Sequence, residues 1–191
     1  MELNKLKAKM AADGNLSLLQ SNLVFGEGNP DCEALFIGEA PGYYEDQLKR
    51  PFVGRSGKLL DECIASIGWK RESVYITNIV KRRPPDNRDP LPEEIEAYRS
   101  CLSRQIKIID PKYVVTLGRF AMNYFLPDAR ISRDQGRVFV VEGRRIIPMF
   151  HPAAALRSTE VMRQLRSGFQ ALPALLGVQK SVSAGEENIQ A

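Results

Sequence analysis

Apolar residues recur along this chain in two alternating rhythms. Continuous apolar runs at residues 34–37, 74–77, 113–117 and 146–150 each stop at a glycine or a polar residue, which predicts buried strands running into loops. Between them the spacing turns helical. Leu59, Leu60, Cys63, Ile64 and Ile67 form one stripe in residues 57–67, closed by Gly68. Further helices are predicted at 93–109, with Pro92 in the first turn, at 119–125 and at about 158–176. Leu3, Leu6 and Met10 predict a short opening helix, ended by the turn residues Asp13, Gly14 and Asn15. Residues 137–150 read as an antiparallel pair, VFVV and RIIPMF, turned at Glu142 and Gly143. Strands alternating with helices predict a three-layer α/β/α domain around a central, mainly parallel four-stranded sheet. That domain is expected to occupy residues 1–177. Residues 178–191 lack periodic hydrophobics and are expected to form a disordered tail.

Composition narrows the picture. The 191 residues, 43% of them hydrophobic, suffice for one domain with a substantial core. No apolar run approaches the roughly 18 to 20 residues of a membrane span. The opening MELNKLKAKM interleaves charge with apolar residues, unlike a secretory signal. The expectation is a soluble, cytoplasmic chain acting as a monomer away from membranes. A net charge of +4, with KRR at 81–83 and scattered arginines from Arg130 to Arg166, favours an anionic partner, although a solvated surface has the same composition. Three cysteines without a CxxC pair write neither a disulfide framework nor a standard zinc site. A single histidine excludes a multi-histidine metal centre and concentrates imidazole chemistry at His151.

In open α/β sheets, ligands bind beyond the carboxyl ends of the strands, where loops and helix N-termini converge. The residues that follow the four predicted parallel strands are Glu39, Asn78, Gly118 with Arg119, and His151. A carboxylate, an amide and an imidazole are thereby expected on one rim.

Three segments add a specific likeness: GEAPGYYEDQLKRPFVGRSG at 38–57, VYITNIVKRRPPDNRDPLPEEI at 74–95 and MFHPAAALR at 149–157. In order and spacing, from about Val24 to Leu165, the chain resembles the uracil-DNA glycosylase superfamily, most closely its family 4. GEAPG alone is a weak motif, but its combination with PFVGRSG, TNIVK and HPAAAL is specific. The resemblance implies a monofunctional enzyme of base excision repair. It would hydrolyse the N-glycosidic bond of deoxyuridine in uracil-containing DNA and leave an abasic site.

Each residue of the motifs has a physical role under that reading. Uracil leaves as an anion with charge growing on O2, so a donor there favours the transition state, by about 3 to 4 kcal/mol on oxyanion-hole precedent. His151 is the candidate donor, against a histidine held only structurally at a strand end. Asn78 can donate to uracil O4 and accept from N3–H, a pattern cytosine inverts, whereas its structural alternative is to complete a turn. Phe52 fits the face on which a flipped base stacks, or ordinary core packing. In the better-known branch of the superfamily a catalytic aspartate stands where this chain has Ala40. Family 4 has a small residue there, which moves the carboxylate role to Glu39 as the group that positions water, against a capping or ion-paired glutamate. Glu45 resembles the residue that crowds uracil C5 and excludes thymine, with Tyr43 and Tyr44 as alternatives. For DNA, Arg55 and Ser56 open a helix toward a phosphate, Lys81 and Arg157 flank the rim, and Leu156 could wedge into the gap left by a flipped base. Arginines scattered on a solvated face are the bland alternative.

The chain departs from family 4 in one respect. Members of that family hold a four-iron, four-sulfur cluster on four cysteines, and the corresponding positions here are Ala11, Gly14, Arg82 and Tyr98. No cluster and no other metal cofactor is therefore expected. An Arg82–Tyr98 cation-π contact, with Leu16 and Leu18 packed on the following helix, is expected to hold together what the cluster would have joined. Two other functions stay open at this point: a glycosylase for another deaminated base such as hypoxanthine or xanthine, and a non-catalytic module that binds uracil or damaged DNA.

Overall fold

The computed structural model describes residues 2–177, and the tail expected at 178–191 lies outside the described residues. Six strands among them form one sheet: β1 (Glu27–Gly28), β2 (Ala34–Gly38), β3 (Tyr75–Asn78), β4 (Tyr113–Leu117), β5 (Phe139–Val141) and β6 (Arg144–Met149), ordered β1-β3-β2-β4-β6-β5. The four central strands pair in parallel, as the sequence predicts. The sheet has six strands rather than four: the antiparallel pair expected at residues 137–150 adds β5 at one edge, and β1, which the sequence pattern does not announce, pairs antiparallel at the other. At two residues, β1 is too short to leave a hydrophobic pattern. β2, β3 and β4 are buried along their whole length, which is why they read as continuous apolar runs.

The helices are α1 (Glu2–Ala12), α2 (Tyr43–Leu48), α3 (Arg55–Ser66), α4 (Pro92–Ile109), α5 (Arg119–Phe125), α6 (Ile131–Asp134), α7 (Pro152–Ala155) and α8 (Thr159–Leu175). Strand side chains alternate between the two faces of the sheet. Phe36, Val115, Leu117 and Ile147 meet Leu60 and Ile64 of α3 and Leu165 and Phe169 of α8, with the Phe36 and Phe169 rings stacked at 5.9 Å. Leu35, Ile37, Val114 and Ile146 face the other way, toward Leu6 and Met10 of α1 and Tyr98, Leu102 and Ile106 of α4. These two cores are the outer interfaces of three layers. No described helix is long and apolar enough to cross a membrane.

The loop after β3 is stitched to the N-terminal segment by hydrogen bonds rather than by a stacked cation. The Tyr98 hydroxyl donates to the Ser17 carbonyl at 2.6 Å, and the Arg82 guanidinium donates to the Ser21 carbonyl. Val24 N–H donates to Lys81 O at 2.8 Å, and Ser21 Oγ to Arg83 O at 2.8 Å. The expected Arg82–Tyr98 cation-π contact is thus replaced by two anchors on neighbouring carbonyls, while Leu16 and Leu18 do pack into the core that holds Tyr98. Tyr98 is fully buried. Its change to Phe should lower stability by about 1 kcal/mol, the cost of an unpaired carbonyl, and Tyr98→Ala by roughly 3 to 5 kcal/mol through an added cavity. Urea denaturation measures both, and an unchanged midpoint for Tyr98→Ala would reject this anchoring role.

Candidate active site

The carboxyl ends of β2, β3, β4 and β6 open into one cleft of about 570 Å³. Asn78, the last residue of β3, is 2% exposed. Beyond it, Ile79 N–H donates to Gly38 O at 2.9 Å and Val80 N–H to Glu39 O at 3.0 Å, so the chain after β3 stays paired with the chain after β2. A Cβ placed on Gly38 would stand 2.5 Å from Asn78 Oδ1 and 2.5 Å from Phe52 Cζ. Only glycine lets the amide and the ring close over the strand end.

Phe52 sits at φ 51°, a left-handed conformation that costs a non-glycine residue about 1 kcal/mol or more. Its surroundings hold it there. Arg71 donates from Nη1 to Phe52 O at 3.2 Å and from Nη2 to Pro51 O at 2.5 Å, while Glu45 Oε1 accepts from Val53 N–H at 2.9 Å and Gly54 N–H at 2.8 Å. The ring lies 5.6 Å from that of His151, tilted by 31°.

His151 caps α7, its Nδ1 accepting from Ala153 N–H at 3.1 Å. Burial holds its pKa down to about 4, so the ring is neutral at physiological pH with its proton on Nε2. Gly118, at φ 88°, lets β4 turn away beneath the histidine, where a Cβ would come within 3.0 Å of His151 Cβ. Glu39 is raised to about 7, first by burial and then by the neighbouring Asp89 carboxylate, with Arg119 opposing. Asp89 and Arg119 themselves form an ion pair at 2.6 Å that joins the proline-rich loop to the start of α5. Glu94 fixes that loop by accepting from Leu91 N–H at 2.8 Å and from both terminal nitrogens of Arg88.

Of the residues the sequence singles out, Glu39, Ala40, Glu45, Phe52, Ser56, Asn78, His151 and Arg157 line this one cleft. Arg55 and Leu156 are exposed and lie outside its lining, at the first turn of α3 and at the end of α7. Lys81 is a correction. It is fully buried, donating to Thr77 Oγ1 and Gln105 Oε1 at 2.6 Å each on the α4 side of the sheet, and it cannot reach a DNA backbone. Burial also lowers its pKa to about 7. Glu45 lines the cleft, but one of its carboxylate oxygens already holds the Phe52 loop, and Tyr43 and Tyr44 stand outside the lining. Sequence reasoning missed Asn87, Arg88 and Asp89, which complete one wall. Their signal is a run of four polar residues, Asp86 to Asp89, between Pro85 and Pro90 after a strand end.

The donor set does not fit an iron–sulfur cluster. Cys32 and Cys63 belong to cores on opposite faces of the sheet, and Cys101 packs beside the first of these. Ala11, Gly14, Arg82 and Tyr98, the positions that the sequence resemblance assigns to ligands, are not cysteines. No group of three or more His, Cys, Asp or Glu that could hold a metal occurs among the described residues.

Comparison with known proteins agrees with this geometry. The model of the uracil DNA glycosylase superfamily matches residues 25–171. The chain is 45% identical over 172 residues to a type-4 uracil-DNA glycosylase of Archaeoglobus fulgidus, covering 85% of this chain and 86% of the relative. It is 43% identical to one from Thermotoga maritima, covering 83% and 84%, and 42% identical to one from Sulfurisphaera tokodaii, covering 88% and 82%. With the match spanning every strand end that builds the cleft, the chain belongs to the uracil DNA glycosylase superfamily.

Proposed function

We propose that this chain hydrolyses the N-glycosidic bond of deoxyuridine in DNA, releasing uracil and leaving an abasic site, and that it does so as a monomer without an iron–sulfur cluster. The observation that carries the reading is a neutral His151, its one ring proton on Nε2, in the same cleft as the buried Asn78 amide and the Phe52 ring. The Nε2–H group is the donor for O2 of the departing uracil anion. It acts without first losing a proton, and burial strengthens it. Asn78 reads the O4 and N3–H edge, and Phe52 supplies the stacking face. Glu39 holds the attacking water and, when ionised, offsets the positive charge that grows on the sugar. Ser56 and Arg157 in the cleft, with Arg55 and Leu156 beside it, are the groups assigned to the DNA strand.

Release of free base from a uracil-containing oligonucleotide is the direct test. Hypoxanthine and xanthine substrates belong in the same assay, because the small Ala40 side chain leaves room in the cleft for a larger base. Release from hypoxanthine alone would overturn the substrate, and tight binding without release would overturn the enzyme. His151→Ala should lower kcat by roughly 10²- to 10³-fold.

The pH dependence has a definite sign. Glu39 acts as its carboxylate, so the rate should rise as pH passes upward through about 7, whereas His151 is already neutral above about 4. Removing the cation that lowers the Glu39 pKa, by Arg119→Ala, should move the midpoint of the pH–rate curve upward. A midpoint that stays in place would remove Glu39 from the step being measured.

Iron analysis of protein made under iron-replete, anaerobic conditions should find none. Stoichiometric iron would overturn the cluster-free reading.

A further inference from the structure

The first turn of α2 divides its side chains between the cleft and the solvent. Glu45 lines the cleft, while Tyr43 and Tyr44 are 51% and 63% exposed, large aromatic surfaces that core packing does not explain. Their rings meet edge to face at 5.4 Å. At one end, the Arg83 guanidinium lies over the Tyr43 ring at 5.2 Å. Its Nε donates to Asn87 Oδ1 at 2.7 Å, and Asn87 lines the cleft. At the other end, the Tyr44 ring edge lies 3.7 Å from where a Cβ on Gly54 would stand, and Gly54 leads directly into the exposed Arg55. Two aromatic rings thus continue the cleft wall from the proline-rich loop to the start of α3, with a cation at each end.

We infer that Tyr43 and Tyr44 form a stacking subsite for the unpaired nucleobases beside the target nucleotide in single-stranded DNA. The inference rests on the DNA reading above and extends it to a preference for the single strand. Every base has a π face, so stacking on an exposed ring tolerates any neighbouring sequence, and flanking arginines neutralise the phosphates that come with it. In an intact duplex the neighbouring bases are stacked on each other and offer no free face. A tyrosine also suits this place physically, because its hydroxyl keeps an exposed ring wetted while the face stays available.

Both side chains are exposed, so their replacement leaves the fold intact. In the full chain, Tyr43→Ala combined with Tyr44→Ala should raise KM for single-stranded uracil DNA roughly tenfold for each ring that stacks, with kcat unchanged. The paired Phe variants should restore the wild-type KM, since they keep the faces and lose only the hydroxyls. Fluorescence anisotropy with a uracil-free oligothymidylate reads the same loss of affinity without any catalysis. The subsite is therefore tested even if the wild type releases no uracil, a result that would instead defeat the glycosylase reading. Unchanged affinity in the double Ala variant would overturn the inference. So would Phe variants as weak as the Ala ones, or a loss confined to duplex DNA.

Discussion

The site depends on the absence of a side chain at Gly38, because Asn78 and Phe52 occupy the space a Cβ would need. That constraint reaches outward through the structure. Bringing the Phe52 ring over the end of β2 requires the backbone at Phe52 to turn left-handed, and this strained loop must be held by neighbours. Arg71 holds it from one side, bonding Phe52 O and Pro51 O while its charge is met by Glu27 and Asp61. Glu27 belongs to the edge strand β1, and it also pairs with Arg50 just ahead of the loop. The two-residue strand that the hydrophobic pattern does not reveal therefore places the carboxylate that fixes the arginine that fixes the ring. From the other side, Glu45 binds the two amides that follow. It thereby spends acceptor capacity on the loop rather than on a ligand.

The electrostatic character of the cleft follows from burial. A neutral histidine and a carboxyl whose pKa lies near neutrality place little fixed charge beside the base, which suits a ligand that enters neutral and leaves as an anion. An imidazolium would be a stronger donor in isolation, but holding its charge in this environment would cost more than the site supplies. The Asp89–Arg119 pair then adjusts Glu39 with opposing charges, so the ionisation that burial shifts is tuned by two residues on separate elements.

Much of this was legible in the sequence, for a topological reason. In a parallel sheet every strand carboxyl end opens on the same edge, so identifying β4 with both its ends correct, and β2, β3 and β6 to within two residues at each end, was enough to bring Glu39, Asn78 and His151 together. Lys81 shows where that logic stops. Three residues past a strand end, it reads as a rim cation, but it shares the face of Thr77 rather than that of Asn78 and ends inside, against Gln105 of α4. Only the structure reveals that choice of face. The wall formed by Asn87, Arg88 and Asp89 was equally hidden, because its placement depends on the bond between Arg88 and Glu94 and not on any local periodicity. Helices α2, α6 and α7 are too short to show a repeating stripe.

The N-terminal segment is tied to the loop after β3 and to α4 by several modest interactions. Arg82 and Tyr98 both reach that segment, at the carbonyls of Ser21 and Ser17. Each such bond is individually modest, contributing about 1 kcal/mol, or up to about 3 where the donor is charged. The connection therefore relies on having several, and on the apolar contacts of Leu16, Leu18 and Met10 around Tyr98. Tyr98 and the N-terminal residues it meets pack in the core on one face of the sheet, whereas Asn78 ends β3 in the cleft, so the contacts that hold this segment are separate from those that build the site.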